Sequence, residues 1–152
     1  MTPPVLHVRP LKGFKYQLAQ SARFAVPEFP RELEFHHKYF RLMKGTLSVK
    51  EGYAWDGPSG PTLDTPASIA ASLCHDVFYQ AIRLRLISPA HRCRADRVFL
   101  RHCLDYGLPW WRSLYYFAAL RLCGGEHARP LPEGEAGEPP DLIISPDNPP
   151  VV

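Results

Sequence analysis

The amino-acid sequence predicts an α+β fold: an N-terminal β-hairpin with a small antiparallel sheet, a three-helix core, and an irregular Pro-rich C-terminal tail. Three patterns carry that expectation. Polar and apolar residues alternate along short runs in residues 1–62. Apolar residues then recur at helical spacing over 66–125, and no periodicity survives in 126–152 apart from the small apolar cluster Leu142-Ile143-Ile144. A chain of 152 residues is one domain's worth, so 1–125 is expected as a single folded unit and 126–152 as a Pro, Gly and acid-rich appendage.

In the first half, residues 14–18 and 23–26 read as short extended runs, broken by Pro27 and Pro30. Residues 33–43 and 46–53 form the arms of a hairpin about Lys44-Gly45, with Leu47, Val49 and Tyr53 in alternation and Gly45 supplying the turn. The loop 55–62 follows. Gly57, Pro58, Gly60 and Pro61 resist regular structure there, so it is either a plain connector or a cradle of exposed backbone groups.

The first helix starts after Asp64 and Thr65, with Pro66 at an early helical position. Ala70, Leu73, Cys74, Val77, Phe78 and Ala81 give it a buried stripe. Ser88 caps the second helix, Pro89 lies in its first turn, and Gly107 stops it; Ala95, Val98, Phe99, His102 and Tyr106 point inward. The third runs from near Pro109 to Gly124-Gly125. Trp110, Trp111, Leu114, Tyr115, Phe117, Ala118 and Leu122 leave it apolar on almost every side. Such a helix is central in the core or docked on a partner, and the central position is the commoner.

Composition removes several function classes. The start Met-Thr-Pro-Pro has neither a charged nor an apolar segment, so no signal peptide is expected, and no run is long and apolar enough to span a bilayer. Cys74, Cys93, Cys103 and Cys123 fit no zinc-ribbon spacing and read as thiols in a reducing compartment. The formal net charge of +3 divides into −5 over residues 126–152 and +8 over the rest. A basic body calls for an anionic partner: a lipid surface, a nucleic acid, or its own acidic tail.

One constellation carries chemistry. His75 and Asp76 are adjacent, Tyr79 shares the His75 helix face, and Asp96 lies on the next helix with Phe99 one turn on. Residues 65–125 hold three carboxylates, Asp76, Asp96 and Asp105, among eight arginines. A carboxylate between packed faces is costly unless paired. Asp96 beside the imidazole would be satisfied and would fix the tautomer, which makes a histidine a competent general base. The structural alternative makes His75 a core histidine, pairs Asp76 with Arg83 or Arg94, and pairs Asp96 with Arg92 or Arg97.

The strings DGPSGP, ASLCHDVFY, RADRVF and YGLPWW…LYYFAALRLCGG resemble a phage and prophage family of unknown function across residues 35–125. That resemblance implies a tailed-phage source, with action in the host cytoplasm or in the virion, and no established activity. The same residues resemble the phospholipase A2 superfamily in a Tyr and Gly-rich loop at 53–60, then HDxxY at His75, Asp76 and Tyr79, then DxxF at Asp96 and Phe99. By that resemblance His75 activates water for attack on an ester carbonyl, Asp96 orients His75, and Tyr79 hydrogen-bonds Asp96. Asp76 ligates Ca²⁺ with loop carbonyls at the positions of Tyr53, Gly57 and Gly60, and Asp56 either adds a side-chain ligand or caps a turn. The disulfides that brace the secreted members are not reproduced by Cys74, Cys93 and Cys103.

Weaker signals surround this set. Arg83, Arg92 and Arg94, with Arg85, Arg97 and Arg101, form either a phosphate-binding patch or a solvated helix face; phospholipid is the favoured partner and nucleic acid is not expected. Trp110, with Trp111, belongs at a membrane interface or in the core. His36-His37 joins a metal site with His75 or is a strand-exposed pair. The competing functional class is a non-catalytic virion or tail-assembly protein, in which His75 and Asp96 brace the interior and the apolar third helix docks on tail components. The sequence sets no oligomeric state.

Overall fold

The computed structural model describes residues 4–58 and 63–133. Among them, seven short strands precede three helices, so the fold is mixed α+β. Strands β1 (Val8–Leu11), β2 (Phe14–Leu18) and β7 (Ala54–Trp55) form one antiparallel sheet in the order β1-β2-β7. Strands β3 (Ala22–Ala25), β4 (Phe35–His36), β5 (Phe40–Met43) and β6 (Thr46–Val49) form the other, in the order β3-β6-β5-β4. The period-two pattern is visible in β5, where Phe40 and Leu42 are buried while Arg41 and Met43 face water. The β5–β6 turn places Lys44 and Gly45 at positive φ (48° and 74°), the backbone that a two-residue hairpin turn requires.

The hairpin differs from the expectation in both arms. The first is broken: His37 donates its backbone N–H to Phe40 O at 2.8 Å, which closes a turn and separates β4 from β5. The second ends at Val49, and Trp55 pairs with Tyr16 of β2 instead of belonging to the loop.

Helix α1 (Pro66–Arg83) is the centre of the molecule. Its N-terminus is a capping box: Thr65 Oγ1 accepts from Ser68 N at 3.2 Å, and Ser68 Oγ accepts from Thr65 N at 2.9 Å. One side packs on the sheets through Leu73, Val77 and Phe78, and Phe78 stacks on Phe29 with ring centroids 4.0 Å apart. Ala71 packs on a second cluster with Phe99, Cys103, Leu108 and Tyr116. Each large side chain so buried contributes roughly 1.5–3 kcal/mol.

Helix α2 (Arg92–Asp105) is preceded by a single 3₁₀ turn, Pro89–His91, and it is this turn that Ser88 caps. Leu108 N donates to Cys103 O at 2.8 Å past Gly107 at φ 85°, a Schellman-type stop. Helix α3 (Trp110–Cys123) overturns the expectation of a central third helix. Only Ser113 and Tyr116 are buried, and Trp110, Trp111, Leu114, Tyr115 and Leu122 are exposed. The physical reason lies in side-chain size. α1 carries Ala67, Ser68, Ala70, Ala71, Ser72 and Ala81, which let neighbours approach from every side, whereas the bulk of α3 does not.

Beyond α3 the chain turns back onto α1. Ala128 joins the main core, Leu131 N donates to Arg83 O at 2.9 Å, and Arg85 Nε donates to Leu131 O at 2.9 Å. The apolar run Leu142-Ile143-Ile144 lies outside the described residues, as does Gly60 of the loop. No helix among the described residues is long and apolar enough to cross a membrane.

Candidate active site

His75 lies in the third turn of α1 and Asp96 in the second turn of α2, and the pairing of these helices brings them together. His75 Nε2 is 3.1 Å from Asp96 Oδ1, and Nδ1 is 3.2 Å from Asp76 Oδ1. Tyr79 Oη, one turn along α1, donates to Asp96 Oδ1 at 2.8 Å. Arg121 of α3 donates to Asp96 Oδ2 through Nη1 at 2.7 Å. Arg92 Nε donates to Tyr79 Oη at 3.1 Å and lies 4.0 Å from Asp96 Oδ2. Asp96 is thus fully buried at the meeting point of all three helices.

The electrostatics follow from these contacts. Burial alone would raise the Asp96 carboxyl, but hydrogen bonds from His75, Arg121 and Tyr79 outweigh it and hold the group below the ordinary carboxylate value. Burial alone would lower His75, but hydrogen bonds to Asp76 and Asp96, with their charges, carry the imidazole above its ordinary value. Both ring nitrogens donate in the imidazolium, so two carboxylate partners favour that form. Burial raises the Tyr79 phenol, with Asp96 adding to the effect, so its hydroxyl remains a donor.

Asp76 has a different environment, with about a third of its side chain (34%) exposed. Burial raises its carboxyl, His75 opposes the rise, and the charge of Asp56 adds to it. The loop reaches this position by two anchors. Trp55 Nε1 donates to Ser72 Oγ at 3.1 Å, and Ser72 stands one turn before Asp76 on α1. Gly57, at φ 74°, lies against Tyr16, whose Cε2 would be 2.7 Å from an added Cβ. Tyr53 is buried, and the charge of Asp76 contributes to raising its phenol. Asp76 pairs with neither Arg83 nor Arg94.

No group of three or more His, Cys, Asp or Glu among the described residues is arranged to hold a metal. Calcium takes six to eight oxygens and accepts backbone carbonyls among them. Asp76 and Asp56 are oxygen donors of the kind a hard cation takes, and Asp56 is near enough for its charge to help raise the Asp76 carboxyl.

The remaining residues are dispersed. Arg92 is drawn inward, with Nη2 donating to Leu120 O at 2.7 Å and Arg121 O at 3.0 Å, and so serves the C-terminus of α3 instead of a phosphate patch. Arg94 Nη1 donates to Glu28 O at 2.6 Å, while the Arg83 side chain faces water. Trp110 is exposed. His37 stacks on Phe40 at 4.4 Å and does not join His75. All four cysteines are free thiols. Sequence reasoning missed Arg121, which makes the shortest hydrogen bond to Asp96: the arginines weighed for that role were on α2, whereas this one arrives from α3. Comparison with protein families, curated proteins and solved structures found no match.

Proposed function

We propose that this is a tailed-phage protein carrying a histidine-based ester hydrolase site of the phospholipase A2 type. The observation that carries the reading is the buried Asp96 carboxylate, which receives His75 Nε2 and the Tyr79 hydroxyl on one oxygen. Asp96 accepts a hydrogen bond from Nε2–H and so fixes the tautomer that leaves Nδ1 as the basic nitrogen. Nδ1 is open to a water when the Asp76 carboxylate turns from it toward the Trp55–Gly57 segment. Asp76, Asp56 and loop carbonyls are the groups that would hold a calcium ion, which when bound supplies positive charge for the oxyanion of an attacked ester. The resemblance of the strings DGPSGP, ASLCHDVFY and RADRVF to a phage family supports action in the host cytoplasm or within the virion.

A second reading has its own observation. Both His75 nitrogens are already engaged, and Asp96 is surrounded by donors, as expected of a polar brace inside a non-catalytic virion or tail-assembly protein. Calorimetric titration with calcium separates the two, followed by phospholipid hydrolysis with and without EDTA. The hydrolase reading expects binding that Asp76→Ala abolishes and hydrolysis that EDTA stops. Absence of both leaves the brace.

A further inference from the structure

We propose that the outward face of α3 docks on an anionic phospholipid bilayer. Trp110, Trp111, Leu114, Tyr115 and Leu122 are 68%, 56%, 47%, 52% and 85% exposed. At 3.6 residues per turn they span an arc of about 140°, wide enough for a continuous apolar face. Monomeric proteins rarely leave such a face to water, and a patch of this kind marks a docking surface.

The occupant follows from charge and side-chain type. From Tyr106 to Gly125 the chain holds no carboxylate, and of its two arginines Arg121 is paired with Asp96, which leaves Arg112 to meet an anion. Arg112 lies with its guanidinium 5.2 Å from the centroid of the Trp111 ring. Paired tryptophans and a tyrosine beside Arg112 match the boundary between acyl chains and anionic headgroups, where amphipathic rings sit and cations are attracted. A second copy of this chain fits less well, since a two-fold apposition repeats Arg112 across the contact with no acid on the face to pair it. Docking needs no turnover and so stands apart from the hydrolase reading. Arg121, on the docking helix, donates to Asp96 and so ties the docking face to the candidate site.

The tryptophans provide the readout. Trp55 is buried, so a change in emission reports Trp110 and Trp111. In EDTA, full-length protein is expected to float with vesicles of equimolar phosphatidylglycerol and phosphatidylcholine, with a blue-shifted emission, and to bind pure phosphatidylcholine far more weakly. Trp110→Ser with Trp111→Ser is expected to weaken binding by about tenfold or more with unchanged circular dichroism, and Leu122→Ser alone to weaken it less. Failure to float with the anionic vesicles, equal binding to both compositions, or undiminished binding by the variants would overturn the proposal. So would a dimer that the double substitution disperses, which assigns the face to a second copy. Hydrolysis of a monomeric short-chain phospholipid judges the catalytic reading separately.

Discussion

Asp96 and Arg121 join α2 to α3 through a 2.7 Å charge-assisted hydrogen bond, and the same carboxylate holds His75 of α1 through its other oxygen. A single side chain therefore fastens three helices. Breaking a buried pair by removing one partner typically costs about 3–5 kcal/mol, because the charges left behind lose compensation. Asp96→Ala is expected to lower the unfolding free energy by about that amount in urea titration. A loss well below 1 kcal/mol would mean that the three donors find water or new acceptors.

Tyr79→Phe removes one donor from Asp96 and the acceptor of Arg92 Nε. The expected loss is smaller, about 1–3 kcal/mol, since the ring packing is retained. The urea midpoint of this variant is expected to fall between those of wild type and Asp96→Ala.

The pH dependence of the pair has two limbs. Asp96 is held below the ordinary carboxylate range, so its contribution is complete above about pH 3.9 and is lost as pH falls through its folded value. His75 is raised, so its contribution is complete below about pH 6.5 and is lost as pH rises through its folded value. Between those limits both contribute, and Asp96→Asn is expected to be most destabilising there. For catalysis the sign reverses, because the base must be neutral. The rate is expected to rise with pH through a value above about 6.5.

His102 pulls the other way. It is buried, Arg101 donates to its Nε2 at 3.1 Å, and burial with that neighbouring charge lowers it to about 4. The unfolded chain binds this proton first, so stability falls as pH drops from about 6.5 toward 4, by as much as about 3 kcal/mol. His102→Gln is expected to flatten that slope, as read from urea midpoints across the range.

Gly57→Ala is expected to displace the loop, since its Cβ would meet Tyr16 at 2.7 Å and its φ of 74° disfavours a side chain. A stability loss of about 1–2 kcal/mol together with weaker calcium binding would tie loop geometry to the site.

The class of fold was legible because both periodicities are strong: Phe40, Leu42 and Leu47 alternate, and Leu73, Val77 and Phe78 recur as helical neighbours. The His75–Asp96 contact was legible because two helices joined by a short link lie antiparallel. The position of α3 was not. Hydrophobicity marks a helix as apolar without saying which apolar helix is central, and the deciding signal was the run of Ala and Ser on α1 that allows close approach. Arg121 was hidden for the same reason, since its contact with Asp96 depends on where α3 packs. Arg92 looked like a surface cation, yet its guanidinium reaches the carbonyls at the end of α3, a tertiary use that spacing does not encode.

The proposed role of His75 as the base of a hydrolytic site is tested by hydrolysis of a short-chain phospholipid by wild type and His75→Ala, with folding checked by circular dichroism. Calcium-dependent turnover by the wild type is expected, with a fall of about 10²–10⁴-fold in the variant. Turnover that survives His75→Ala, or a wild type that hydrolyses nothing with calcium present, contradicts it.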